Sequence, residues 1–301
     1  MPQQAYSNPG PRVVRPRQPG PETSVRMHEQ WRRRIREIED DSTSGATAIL
    51  TRALDILRDA ANEPRESVAA LADALCDAQP SMAGLLTAAR VVKTSADVPS
   101  ALDRLMHQVA RAPELIARHA AALLLLRPEG NPLQESAPLR LVTCSSSSAV
   151  EATIRLVSRQ SSAVVSCTES RPKLEGRAMA VRLANAGVAV ELYTDAGISA
   201  AVPLADALIV GADALGPSAF VNKVGTRALC ALAGSAGVPV YVLAGREKVL
   251  DELDFARLSL KEADSVEVWA GKEPLVGRNP IFERVPVELV STIITDGGRM
   301  I

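Results

Sequence analysis

The chain is predicted to fold as an α/β protein, with an N-terminal all-helical domain followed by a Rossmann-like, doubly wound parallel-sheet domain. Three observations predict this. Apolar residues recur at helical spacing from residue 25 to about residue 127. A Pro/Gly-rich stretch, RPEGNPLQESAP, then interrupts the pattern. Beyond it, short Val- and Leu-rich runs alternate with helical stretches and carry Gly or Pro at the junctions, as βαβ units do. The expected division is a tail at 1–24, a helical domain at 25–127, a linker at 128–138 and the Rossmann-like domain at 139–301.

The elements follow in order. Residues 1–24 mix Pro and Gly with Arg, and they cannot bury enough apolar surface to offset their ordering entropy. They are expected to be a disordered, solubilising tail. In HEQWRRRIREIEDD, Trp31, Ile35 and Ile38 share a helical face; in GATAILTRALDILRDAAN, Ile49, Ala53, Ile56 and Leu57 do the same. Pro64 and Pro80 fall where helices begin. The long apolar stretch ALDRLMHQVARAPELIARHAAALLLL is expected to form a central packed helix, kinked or split at Pro113. The alternation that follows runs LRLVTC then AVEATIRLVSRQ, AVVSCT then KLEGRAMAVRLANAG, and VAVELYT then AGISAAVPLA. It continues with DALIVGAD then VGTRALCALAGSAG, and ends on PVYVLAG. Apolar runs of this length suit strands covered on both faces.

Composition narrows the function. The 301 residues, 47% of them hydrophobic, are ample for a core, which with only 3% aromatics must be built from Ala, Val and Leu. A formal net charge of −1 gives no bulk attraction to nucleic acid, and few aromatics leave no stacking platform for bases. Direct nucleic-acid binding by the folded domains is therefore not expected. Cys76, Cys144, Cys167 and Cys230 are far apart, and His28, His107 and His119 lie away from them, so neither a zinc site nor a disulfide framework is signalled. Scattered thiols suit a reducing compartment. No apolar run reaches the roughly 18 residues of a membrane span, and the N-terminus lacks the apolar segment of a secretory signal. A cytoplasmic protein without membrane association is expected. Neither Gly-x-Gly-x-x-Gly after the first strand nor a Walker motif is present, so no cofactor is expected.

Ligands of a doubly wound sheet lie beyond the carboxyl ends of its strands. Those ends carry Thr143-Cys144-Ser145-Ser146-Ser147-Ser148, Glu169-Ser170-Arg171-Pro172, Thr194-Asp195 and Gly211-Ala212-Asp213. Asn222-Lys223-Val224-Gly225-Thr226 and Lys248 follow. Hydroxyls ahead of a helix can cradle a phosphate with its first amides, and Arg171, Lys223 and Lys248 supply counter-charge. Burial after an apolar strand raises the pKa of an Asp and suits Asp213 to acid–base work. Taken singly, each has a plainer role: the serines as a helix cap, Asp213 as a turn residue, Asn222-Lys223 as surface. Their common position at one sheet edge points to a phosphorylated ligand.

Two segments, ESRPKLEGRAMAVRLANAGVAVELYTDAG and IVGADALGPSAFVNKVGTRALCALAGSAGVPVYVLAG, carry a family resemblance, as does the closing RNPIFERVPVELVSTIITDGG. They resemble the alpha, beta and delta subunits of translation initiation factor 2B and two related isomerases, those of methylthioribose-1-phosphate and ribose-1,5-bisphosphate. The resemblance is strong over residues 139–301 and weak over the helical region. For the isomerases it implies aldose–ketose conversion by a Cys and the Asp of Gly-Ala-Asp, here Asp213, with Asn222, Lys223 and Lys248 as ligand-binding positions. The chain departs from that pattern. Ser145 stands at the catalytic Cys, and Ser44 and Gln79 stand where the isomerases have arginines, ahead of Gly45-Ala46 and Pro80-Ser81. A serine hydroxyl is a poor proton acceptor without a base.

The resemblance therefore implies a regulatory-subunit-like protein that binds a phosphorylated sugar or nucleotide without catalysis. Its ligand-binding residues would be Ser145, Ser146, Ser147, Arg171, Asn222, Lys223, Lys248, Gly45 and Ala46. With the loop aligned one residue over, the alternative is an aldose–ketose sugar-phosphate isomerase, an intramolecular oxidoreductase using Cys144 and Asp213. A purely structural subunit with an empty pocket is a third reading. The resemblance and the apolar segment VPVELVSTII also imply a homodimer.

Overall fold

The computed structural model describes residues 27–41, 44–126, 137–260, 262–271 and 274–300. The tail expected at 1–24 and most of the linker expected at 128–138 lie outside the described residues. Among the described residues five helices come first: α1 (Glu29–Glu39), α2 (Ala46–Asp59), α3 (Arg65–Ala78), α4 (Ala83–Thr94) and α5 (Val98–Leu124). Their apolar stripes meet in one core that includes Trp31, Ile38, Ile49, Leu54, Leu71, Leu75 and Leu102.

Helix α5 starts on a capping Asp97, whose carboxylate accepts the Ser100 amide at 3.1 Å. It runs through Pro113 as one helix, so of the kink or split expected there the split does not occur. An internal proline costs an isolated helix about 3 kcal/mol. Here burial on both sides of Pro113 outweighs that cost. Leu102 and Val109 lie in the helical core, whereas Ala112, Ile116, Ala120 and Leu124 pack against the sheet.

The second half alternates strands and helices: β1 (Leu139–Thr143), α6 (Ser148–Gln160), β2 (Ala163–Thr168), α7 (Glu175–Asn185), β3 (Ala189–Tyr193) and β4 (Ala207–Gly211). After β4 come β5 (Ala214–Leu215), β6 (Ala219–Lys223), α8 (Thr226–Ser235), β7 (Val240–Leu243), α9 (Glu252–Arg257), β8 (Phe282–Pro286), β9 (Thr292–Thr295) and β10 (Gly298–Arg299). The main sheet has the order β3-β2-β1-β4-β7-β9-β10, parallel except for β10. Leu141 of β1 stands between Val165 of β2 and Ala207 of β4. Side chains alternate across the sheet as the strand period requires. Leu141, Val165 and Ile209 face α5 and α6, while Val142, Leu208, Val210 and Val242 face Phe220 and Cys230 on the other side.

Two further features depart from the sequence reading. AGISAAVPLA forms two short 3-10 turns, Gly197–Ala200 and Val202–Leu204, in place of a helix. Pro203 lacks the amide that a continuous helix would use, and it stands at the start of the second turn, where its missing amide costs nothing. The stretch after β4 adds a second sheet, antiparallel β5-β6-β8, in which Asn222 and Lys223 are strand residues opposite Glu283 and Phe282.

Because α5 belongs to two cores, its truncation is felt in both. Leu102→Ala and Ile116→Ala are each expected to cost about 2–5 kcal/mol in urea unfolding. Either substitution lowering stability by under about 1 kcal/mol would contradict the packing described.

Candidate functional site

The strand order reverses between β1 and β4, which opens a crevice at their carboxyl ends. A cavity of about 340 Å³ lies there. Its walls are the N-terminus of α2 (Ser44 to Ala48), the loop Ser145–Ser148, residues Glu175 and Arg182 of α7, and Gly211–Asp213. Asn222, Lys223, Lys248 and Phe282 also line it, as do Glu151 and Lys173.

Each wall has a local cause. Ser145 adopts a left-handed backbone (φ 63°), and Ser147 caps α6 by accepting the Val150 amide at 3.5 Å. Gly211 lets this loop close on β4, since a Cβ there would lie 2.8 Å from Ser147. The Ser148 hydroxyl donates to that of Thr47 at 3.2 Å, so the N-termini of α2 and α6 meet at the cavity. Both present the positive end of a helix dipole.

Across the crevice, the loop after β2 is held by Asp195, which accepts the amides of Ser170 and Arg171 at 2.7 Å each. The Ser170 hydroxyl accepts the Ser145 amide at 2.8 Å, and the Ser145 hydroxyl donates to Glu175 Oε1 at 3.0 Å. Gly176 allows α7 to begin against β2, because a Cβ there would meet the Thr168 carbonyl at 2.0 Å. That close approach positions Glu175. Its Oε1 also pairs with the buried Lys223 Nζ at 2.7 Å, whereas its Oε2 is buried with no hydrogen-bond partner. Lys248, also buried, donates to the Ala212 carbonyl at 2.8 Å. Burial raises the pKa of Asp213; Lys248 opposes the rise, Glu175 adds to it, and Lys223 opposes it.

The structure thus brings together Asp213, Ser145, Ser146, Ser147, Asn222, Lys223, Lys248, Gly45 and Ala46 around one cavity. It leaves two expected residues out of the lining. Cys144 turns into the core, its Sγ 3.5 Å from Thr226 Oγ1. The Thr226 hydroxyl already donates to the Lys223 carbonyl at 2.6 Å, so the thiol is the donor in this contact. Burial pushes the thiol up to about 11. Arg171 points its guanidinium at the Glu267 carbonyl, 3.1 Å away. Gln79, at one of the absent arginine positions, spends its amide on the carbonyls of Ile38, Glu39 and Asp41 at the end of α1. Ser44, at the other, lines the cavity.

Sequence reasoning missed Glu151, Lys173, Glu175 and Arg182. Arg182 donates to the Ser146 hydroxyl at 2.9 Å and to Glu151 at 2.8 Å, and Lys173 pairs with Glu267. Only Glu175 had a sequence signal: it opens the helix that follows a strand-end loop already singled out. Among the described residues no cluster of His, Cys, Asp and Glu could hold a metal, and no helix is long and apolar enough to cross a membrane.

The fold and this crevice define a Rossmann-like protein with a charged polar cavity at its switch point. The model of the initiation factor 2 subunit family matches residues 34–301, and the chain belongs to that family. A putative translation initiation factor eIF-2B subunit 2-like protein of Pyrococcus horikoshii is 32% identical, over 91% of this chain and 95% of its own. Ribose 1,5-bisphosphate isomerase of Archaeoglobus fulgidus is 31% identical over 162 residues, and this match spans 52% of each chain. The crystal structure of translation initiation factor eIF-2B from P. horikoshii OT3 superimposes with a TM-score of 0.77 at 26% identity, covering 91% of this chain and 98% of that one.

The thiol geometry has a direct chemical consequence. Cys144, Cys167 and Cys230 are buried, with thiols pushed by burial to about 11, 12 and 12, and Cys76 is raised to about 12 by the same cause. At pH 8 only about one Cys144 in a thousand is thiolate. No cysteine is expected to react with a disulfide reagent such as DTNB on the minute timescale until the chain is unfolded. Prompt stoichiometric labelling of Cys144 in the native protein would refute the placement of its thiol.

Proposed function

We propose that the chain is a regulatory-subunit-like member of its family, binding a phosphorylated sugar or nucleotide in the cavity between α2, α6 and β4 without turning it over. The observation that carries this reading is the division of labour at the end of β1. A hydroxyl, Ser145, lines the cavity, while the neighbouring thiol is buried, protonated and bonded to Thr226. An aldose–ketose isomerase using Cys144 would need that thiolate beside the substrate. Two helix N-termini, a run of hydroxyls and the positive charge of the lining support phosphate recognition. Asp213 and Glu175 offer acceptors for hydroxyl groups.

The neighbouring reading, catalysis, is favoured by one feature, the raised pKa of Asp213 beside Lys248. A single set of measurements separates the two. Sugar phosphates or nucleoside monophosphates at about 100 times Kd are expected to add about 2.7 kcal/mol of stability, seen as a raised Tm. Lys223→Ala should weaken binding at least tenfold. NMR in deuterated water should show no exchange of the C2 hydrogen for any aldose phosphate tested. Exchange that vanishes in both Cys144→Ala and Asp213→Asn would overturn the reading in favour of an isomerase, and a full panel without a Tm shift would overturn ligand binding itself. The homodimer rests on the family resemblance, since VPVELVSTII runs into Thr292–Thr295, a buried strand of the chain's own sheet, and a monomer mass in light scattering at micromolar concentration would exclude it.

A further inference from the structure

We propose that the Glu175–Lys223 ion pair sets the ligand's class, admitting polyhydroxylated compounds with one phosphoryl group and rejecting those with two. This deepens the reading of the cavity as a phosphorylated-ligand site and rests on it.

The argument begins with how the cations are already engaged. Four cationic side chains line the cavity: Lys173, Arg182, Lys223 and Lys248. Three of them have a carboxylate partner, Glu267, Glu151 and Glu175 respectively, and Lys248 donates to a carbonyl next to Asp213. The lining itself holds three carboxylates, Glu151, Glu175 and Asp213, against those four cations, leaving one net positive charge. A phosphate monoester carries about −1.5 to −2 at pH 7. One such group roughly balances the lining together with the two helix N-termini. A second would be left without counter-charge in a partly enclosed space, where like charges repel far more strongly than in water.

The two kinds of group are also segregated. On the side built from helix N-termini stand the hydroxyls of Ser146 and Thr47, with Arg182 donating to Ser146, while Ser145 stands at the boundary and donates to Glu175. That side favours the phosphoryl group. On the side built from β6, a phosphoryl approaching Lys223 must compete with a carboxylate 2.7 Å from the same nitrogen. Lys223 is buried and cannot swing away to a new partner. It therefore acts on Glu175, holding a carboxylate toward the ligand. An ionised carboxylate accepts hydrogen bonds and donates none, so it fits a hydroxyl and opposes a phosphate. Glu175 Oε2, buried without a partner, is the acceptor left for that hydroxyl once a shift of the side chains covering it admits the ligand.

The test is calorimetric titration of the full chain with ribose 5-phosphate, ribose 1-phosphate and ribose 1,5-bisphosphate, alongside inorganic phosphate. At least one monophosphate is expected to bind ten times or more tighter than the bisphosphate. Glu175→Gln, which keeps the shape and removes the charge, is expected to shrink that ratio at least tenfold. A bisphosphate that binds wild type as tightly as the monophosphates overturns the proposal and leaves the phosphate-site reading standing. So does an unchanged ratio in a Glu175→Gln variant that retains the native circular dichroism spectrum. If that variant fails to fold, the wild-type ratio alone decides. Absence of binding by every probe overturns the underlying reading as well.

Discussion

Everything in the crevice depends on one topological constraint: β1 and β4 lie side by side, but the chain leaves their ends in opposite directions. Right-handed crossovers send α6 and α7 toward β2 and β3, and send α8 toward β7. No crossover covers the gap between β1 and β4, so the first residues past each strand are exposed to one another. The serine loop and Gly211–Asp213 face a common space for that reason alone. The helical half supplies the remaining wall, because the N-terminus of α2 rests on Ser148 through Thr47.

Within that space, electrostatics is organised by neutralisation more than by accumulation of positive charge. A relay runs from Asp195 through Ser170 and Ser145 to Glu175 and Lys223, with each polar group held by the next. Breaking a buried ion pair by removing one member is strongly destabilising, of the order of 3–5 kcal/mol, because the survivor is stranded. Lys223 and Glu175 are therefore structural necessities for each other, whatever ligand the cavity takes. The same logic explains Cys144, which gave up the cavity for a place in a hydrogen-bonded knot with Thr226 and Asn222.

Much of this was legible beforehand, and the exceptions have identifiable causes. The parallel strands announced themselves because β1, β2 and β4 are almost wholly buried, Arg140 apart, and are therefore largely apolar. Asp213, Lys223 and Lys248 could be read as neighbours because strand ends of a doubly wound sheet share one edge. AGISAAVPLA misled because its small apolar residues fit a helix as well as a turn, and only Pro203 argued otherwise. The ion pair between Glu175 and Lys223 was invisible because it joins distant segments through a contact that no periodicity encodes. Which of Cys144 and Ser145 enters the cavity was equally hidden. Adjacent side chains at a strand end diverge, and the left-handed turn at Ser145 decides the outcome.

The unbroken course of α5 carries a consequence for how a ligand reaches the cavity. At about 1.5 Å per residue its 27 residues form a rod about 40 Å long, anchored at one end among the helices and at the other against the sheet. A hinge between the two halves would have to bend that rod or tear one of its faces out of a core. The walls contributed by α2 and by α6 thus move as one frame. Lys173, paired with Glu267, and Phe282 belong to cavity walls outside that frame, so ligand exchange is expected to proceed by side-chain rearrangement there and not by the opening of a cleft between the two halves.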